Sequence, residues 1–70
     1  MHSPVRIGAM IHRNRAALAK CDAQLAEIAE MMPHAGGDRR RQLRRLAREV
    51  KWVRLRLRFA GWLLIRLDPR

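Results

Sequence analysis

The sequence predicts an all-α protein: an antiparallel two-helix coiled-coil hairpin, completed by oligomerisation or by a partner helix. Two observations lead to this fold class. In each half of the chain, apolar residues recur in alternating steps of three and four, as the a and d positions of a heptad do. A short segment with one proline and two glycines separates the halves and leaves room only for a sharp reversal. We therefore expect a single domain, residues 1–70, with helices at about 4–32 and 39–67 and a turn at 33–38.

The first helix is predicted to begin after Ser3, a common N-cap residue, with Pro4 in its first turn. It should end before Pro33, because a proline disfavours helical geometry in the residue that precedes it. Asn14 is the one polar ladder residue, and we expect it to fix register or oligomeric state, with a functional contact as the alternative. Cys21 is expected to be a small buried apolar residue. The ladder of the first half is Ile7, Ile11, Asn14, Leu18, Cys21, Leu25, Ile28 and Met32.

The second helix is predicted to start after Asp38 as N-cap and to stop at Asp68-Pro69, while Gly36 and Gly37 supply backbone freedom for the reversal. Antiparallel helices place each a position opposite a d position, and a single register satisfies both ladders. The ladder of the second half is Leu43, Leu46, Val50, Val53, Leu57, Ala60, Leu64 and Leu67. The predicted layers are Ile28–Leu43, Leu25–Leu46, Cys21–Val50, Leu18–Val53, Asn14–Leu57, Ile11–Ala60 and Ile7–Leu64.

Charge is distributed very unevenly along the chain. Residues 1–38 hold four basic and four acidic side chains, so the whole net charge of +10 resides in residues 39–70. Such asymmetry predicts a polyanionic partner, which could be nucleic acid, an acidic protein surface or an anionic membrane surface. Arginine predominates among the cations, and its planar guanidinium suits phosphate and carboxylate groups.

Seven cations near the start of the second helix form what we call the arginine patch. They are Arg39, Arg40, Arg41, Arg44, Arg45, Arg48 and Lys51. A merely solvated helix face would normally mix both signs of charge, whereas only Glu49 opposes these seven. We predict that the patch binds nucleic acid, either RNA or DNA. Because no base-reading motif accompanies it, charge and shape should lead the recognition.

A second apolar stripe, here called the aromatic stripe, follows the patch on the back of the second helix. Its members are Trp52, Leu55, Phe59 and Trp62, which include all three aromatic residues of the chain. A hairpin that buries only its ladders would leave this stripe in water, which monomeric proteins avoid. We predict that it forms a protein interface, with a second copy or with another protein. Insertion into a membrane surface and stacking on single-stranded bases are the alternatives.

No catalytic or metal-binding constellation emerges from the sequence. His2, His12 and His34 lack cysteine or carboxylate neighbours at ligand spacing, so we expect neither an enzyme nor a cofactor. The longest uncharged stretch is too short to span a membrane, which predicts a chain without a transmembrane segment. A lone cysteine and the lack of a secretory leader predict a cytoplasmic location.

The function predicted from these features is that of a small basic helical hairpin that binds nucleic acid within an oligomer or a larger nucleoprotein complex. The alternative is a small accessory or inhibitory subunit that docks on an acidic protein surface. A third reading is a peripheral hairpin that lies on a membrane surface, with the aromatic stripe in the interface.

Overall fold

The computed structural model describes residues 4–67 and the side chains of residues 6–67. Helix α1 spans Pro4–Met31, a 3-10 turn follows at Met32–His34, and helix α2 spans Gly37–Leu67. The two helices pack against each other along their length, and the molecule measures 52 × 14 × 14 Å. The predicted all-α hairpin is confirmed. The predicted N-cap Ser3 and the predicted stop at Asp68-Pro69 lie outside the described residues.

The connection between the helices follows from Pro33, which lies in the first turn of the 3-10 segment and ends α1 at Met31. Ala35 then adopts an extended conformation, with φ −89° and ψ 138°, and turns the chain towards α2. No described glycine has a positive φ, so the reversal does not use the backbone freedom that we expected of the two glycines.

Helix α2 begins slightly earlier than predicted. The amide of Arg40 donates a 2.8 Å hydrogen bond to the carbonyl oxygen of Gly36, which makes Gly36 the first acceptor of the helix. Asp38 therefore lies inside the first turn and not before it. A carboxylate at this end of a helix is favoured by the helix dipole.

The ladder of α1 faces α2 as predicted. Ile7, Cys21 and Ile28 are buried, and the other five ladder residues are half-buried. In α2, Leu43 and Val50 are buried, and the a positions that follow them are half-buried. The core is therefore a single thin seam, as two helices alone can provide.

The d positions of α2 do not face α1, and this corrects the predicted pairing. Four of them are exposed: Leu46, Val53, Ala60 and Leu67. Three e positions take their place in the seam as half-buried residues: Ala47, Arg54 and Gly61. The predicted layers Leu25–Leu46, Leu18–Val53 and Ile11–Ala60 are consequently wrong.

The physical reason is that α2 is rotated about its axis towards its e positions. Ala47 and Gly61 are small, so this side of α2 lets the two backbones approach closely. Arg54 also reaches across the seam on this side, where its Nε lies 2.8 Å from Oδ1 of Asp22.

Across residues 4–67, neither helix has a stretch that is long and apolar enough to cross a bilayer.

Candidate nucleic-acid interface

All seven side chains of the arginine patch are exposed on the first turns of α2. Steps of three and four bring Arg41, Arg44, Arg45 and Arg48 to one side of the helix, where they line a shallow concavity together with Asp38 and Gln42. The remaining three members of the patch do not line this concavity. The structure therefore gathers four of the seven predicted cations into one surface.

The guanidinium groups of the patch have no partner within the described chain. None of the seven side chains forms a hydrogen bond or an ion pair with another residue of 4–67. Arg54 provides the contrast, because it is held by Asp22 across the seam. The donors of the patch are thus directed to solvent and open to an external anion, while Asp38 is the one carboxylate beside the concavity.

The dimensions of the concavity suit a phosphate backbone. Arg41 and Arg48 are seven residues apart, which corresponds to about 10 Å along the helix axis. Successive phosphates of a strand are farther apart than the axial rise of about 3.4 Å per nucleotide, so the four guanidinium groups can reach more than one phosphate.

The aromatic stripe remains uncovered by α1. Trp52 is 65 % exposed and Trp62 is 51 % exposed, and Leu55 and Phe59 between them are similarly open. The rings of Phe59 and Trp62 stack with their centroids 6.1 Å apart and their planes 27° apart. Arg66 lies over the Trp62 ring with its Cζ 4.8 Å from the centroid. Phe59, Trp62 and Arg66 thus form a contiguous group at the C-terminal end of the stripe.

The patch and the stripe form one continuous surface. Arg41, Arg45 and Arg48 lead into Trp52 and Leu55 in steps of four, three, four and three, which is the spacing of one helix face. A small depression lined by Arg48, Lys51, Trp52 and Leu55 marks the junction between them.

Asn14 makes the contact that sets the two helices against each other. Its Nδ2 donates a 2.7 Å hydrogen bond to the carbonyl oxygen of Leu57 across the seam, at the pair of positions predicted to be in register. Gly61, one turn further on, leaves the space that the Asn14 side chain fills. The sequence analysis did not notice Gly61, and a glycine in the interior of a long helix was the signal for it.

The fold and this surface define the class of protein: an all-α hairpin that presents basic and then aromatic groups along the outward face of its second helix. No protein-family model, curated protein or solved structure matches the chain. Within residues 4–67, no cluster of three or more His, Cys, Asp or Glu side chains is arranged to hold a metal ion.

Proposed function

We propose that this hairpin is a nucleic-acid-binding protein that works within an oligomer or a larger nucleoprotein complex in the cytoplasm. The observation that carries the proposal is the concavity of Arg41, Arg44, Arg45 and Arg48, whose guanidinium groups have no partner among the described residues. Phosphate oxygens would accept their hydrogen bonds, in pairs where the geometry allows. Each neutralised phosphate would also release condensed counterions, which favours binding at low salt.

Recognition by this surface is expected to depend on the backbone of the nucleic acid and little on its sequence. Base-specific readout uses side chains inserted into a groove and aligned with base edges. The patch instead offers arginines on the exposed surface of one helix, and Gln42 is the one amide side chain that lines the concavity with them. RNA and DNA both carry the phosphates that such a surface binds, and relative affinity for the two should follow their shape.

The aromatic stripe has a separate role in this proposal, as the contact with a protein of the same complex. Tryptophan and arginine are enriched among the residues that dominate protein interfaces, and the stacked Phe59, Trp62 and Arg66 already present such a group. Because the stripe continues the arginine patch, a protein bound there would lie beside the nucleic acid. The hairpin would then bridge the two.

A fluorescence anisotropy titration with short labelled RNA, single-stranded DNA and duplex DNA tests the nucleic-acid site. The test variant changes Arg41, Arg44, Arg45 and Arg48 to glutamine. The control variant changes four arginines outside the patch to glutamine and carries the same net charge: Arg13, Arg15, Arg56 and Arg58. We expect the test variant to lose at least tenfold in affinity for every ligand and the control to lose much less.

Equal losses in the two variants would mean that net charge alone attracts nucleic acid and that the concavity is not a site. Unchanged binding by the test variant would remove the patch from the proposal. A wild-type chain that binds none of the three ligands at low salt, but retains a stoichiometric acidic protein through the same arginines, would favour the accessory-subunit alternative. The continuity of the arginine patch with the aromatic stripe is the observation that favours that alternative. A partner helix with an acidic half and an apolar half could contact both parts of this surface at once.

A further inference from the structure

The rotation of α2 creates an apolar surface that is distinct from the aromatic stripe. Val53, Leu57, Ala60 and Leu64 follow one another in steps of four, three and four along the flank of α2. Leu57 and Leu64 line a groove together with Met10 and Ala17 of α1. Arg13 and Asn14 also line this groove, whereas Val53 and Ala60 lie beside it on the flank of α2. We call the six apolar residues, in the groove and beside it, the edge groove. Leu46 and Leu67 extend its row on α2, and on α1 the seven-residue spacing of Met10 and Ala17 continues through the polar Gln24 to Met31.

We infer that a second copy of the chain packs its own edge groove against this one, so that four helices share a single core. The heptad pattern provides the first reason. A helix that contacts one neighbour needs only a narrow apolar seam, whereas a helix in a bundle contacts two and needs a stripe about three-sevenths wide. Helix α2 has apolar a and d positions and small residues at two of its three half-buried e positions, and α1 occupies only the a and e side. The d side is the half of the stripe left for another neighbour.

The exposed area provides the second reason. The chain exposes 6240 Å², whereas a compact monomer of 8.2 kDa exposes about 4,500 Å². The excess is larger than the roughly 800 Å² that each partner contributes to a stable interface of standard size. The radius of gyration agrees, at 16.0 Å against about 11 Å for a compact chain of this length. One hairpin on its own therefore exposes enough surface for an interface of standard size.

Charge decides that the occupant is a second copy and that it binds at the edge groove. Arg13 is the one charged residue that lines the groove. The flanks beside it carry both signs on exposed residues: Lys20, Glu27, Glu49 and Arg56. Two copies can meet there with opposite charges available to each other. On the outward face of α2, by contrast, Arg48, Arg66 and their neighbours would oppose the same cations of the second copy. Like charges placed together in this way disfavour self-association through the aromatic stripe.

Sedimentation equilibrium of the full chain in about 0.15 M NaCl tests the inference, after nuclease treatment and a wash at high salt have removed nucleic acid that could bridge copies. Because no nucleic acid is present, the result is independent of the proposed function. The wild-type chain should sediment as a dimer. Val53→Glu should raise the dimer dissociation constant by about 100-fold, since two buried apolar side chains become charged. Leu55→Glu is the matched control: it lies two residues away, is 58 % exposed against 48 % for Val53, and should leave the dimer intact.

Circular dichroism shows whether each variant retains its helices. If Val53→Glu unfolds, the milder pair Val53→Thr with Ala60→Ser keeps both shapes and should weaken the dimer about tenfold without loss of helix content. Wild-type protein that remains monomeric at high micromolar concentration would overturn the inference. So would a dimer that Leu55→Glu dissociates and Val53→Glu does not, because its interface would then be the aromatic stripe. A dimer unaffected by the milder pair would overturn it as well.

Discussion

Asn14 and Gly61 are matched across the seam: a Cβ atom added to Gly61 would lie 2.6 Å from Oδ1 of Asn14. No alanine fits there while the Asn14 amide keeps its 2.7 Å hydrogen bond to the Leu57 carbonyl. That carbonyl is four residues before Gly61, so it is also the acceptor of the helical hydrogen bond from the Gly61 amide. The absence of a side chain at one position and the polar group at the other thus fix where α1 meets α2.

The first prediction is a change of sign for Gly61→Ala. In an Asn14→Ala background, the substitution should raise the free energy of unfolding by roughly 0.5–1 kcal/mol, because alanine is the better helix former. In the wild-type background it should lower that free energy, since the added methyl displaces the Asn14 amide and breaks its hydrogen bond. Urea denaturation of the four proteins in the cycle measures the coupling, which should reach about 1 kcal/mol or more. The same gain in both backgrounds would show that the two residues do not interact.

The second prediction concerns Asn14 itself. Asn14→Ala should destabilise the hairpin by about 1 kcal/mol, because it removes one interhelical hydrogen bond, while Leu57 keeps its helical one. Asn14→Leu should not rescue this loss, because its branched end would press against the Gly61 backbone. Thermal denaturation of the two variants provides the comparison. A melting temperature of Asn14→Leu above that of the wild-type protein would contradict this prediction. It would show that the seam beside Gly61 has room for a leucine side chain.

The third prediction concerns the salt bridge between Arg54 and Asp22. The two side chains are 39 % and 59 % exposed, so solvent screens their attraction. Asp22→Asn should therefore change the free energy of unfolding by less than about 1 kcal/mol, and by less still in high salt. Denaturation at two salt concentrations checks this. A larger loss of unfolding free energy that does not depend on salt would mean that the Arg54–Asp22 pair helps to set the rotation of α2.

The fourth prediction is the salt dependence of nucleic-acid binding. The slope of log affinity against log salt should fall by roughly 0.9 for each phosphate contact removed on duplex DNA and by about 0.7 on single strands. We therefore expect a flatter slope for each of four single glutamine variants, by the amount that one phosphate contact contributes. The variants replace Arg41, Arg44, Arg45 and Arg48. Lys20→Gln on α1 is the control and should leave the slope unchanged. A slope that does not respond to the four single variants would contradict phosphate contacts at the patch.

The fifth prediction uses the tryptophans as reporters. In the isolated protein Trp52 and Trp62 should emit like solvent-exposed indoles and be quenched readily, because both are more than half exposed. Dilution through the dimer–monomer transition should leave the emission unchanged, since the edge groove contains neither residue. A protein partner on the aromatic stripe should shift the emission to the blue, and Trp52→Ala with Trp62→Ala should abolish its binding. A blue shift that follows self-association alone would assign the stripe to the dimer.

The sequence by itself determined the elements and most of the surface. Two heptad ladders and Pro33 are enough to predict two helices, their reversal and the a positions of the seam, because each depends on local geometry and on spacing along one helix. The arginine patch and the aromatic stripe were also predictable, since their members lie three or four residues apart on a single helix. The protein-binding and nucleic-acid-binding roles given to them remain predictions.

Only the tertiary structure decided which flank of the a positions α2 turns towards α1. Leu46 and Val53 are as apolar as any seam residue, so the pattern favoured burying them. The choice depends on a close approach between two backbones, which Gly61 permits and which lets Asn14 reach a carbonyl oxygen of the other helix. A pattern along one chain records which side chains are apolar. It does not record how near the facing helix can come, and that distance determines which of two apolar flanks is buried within the hairpin and which is left exposed.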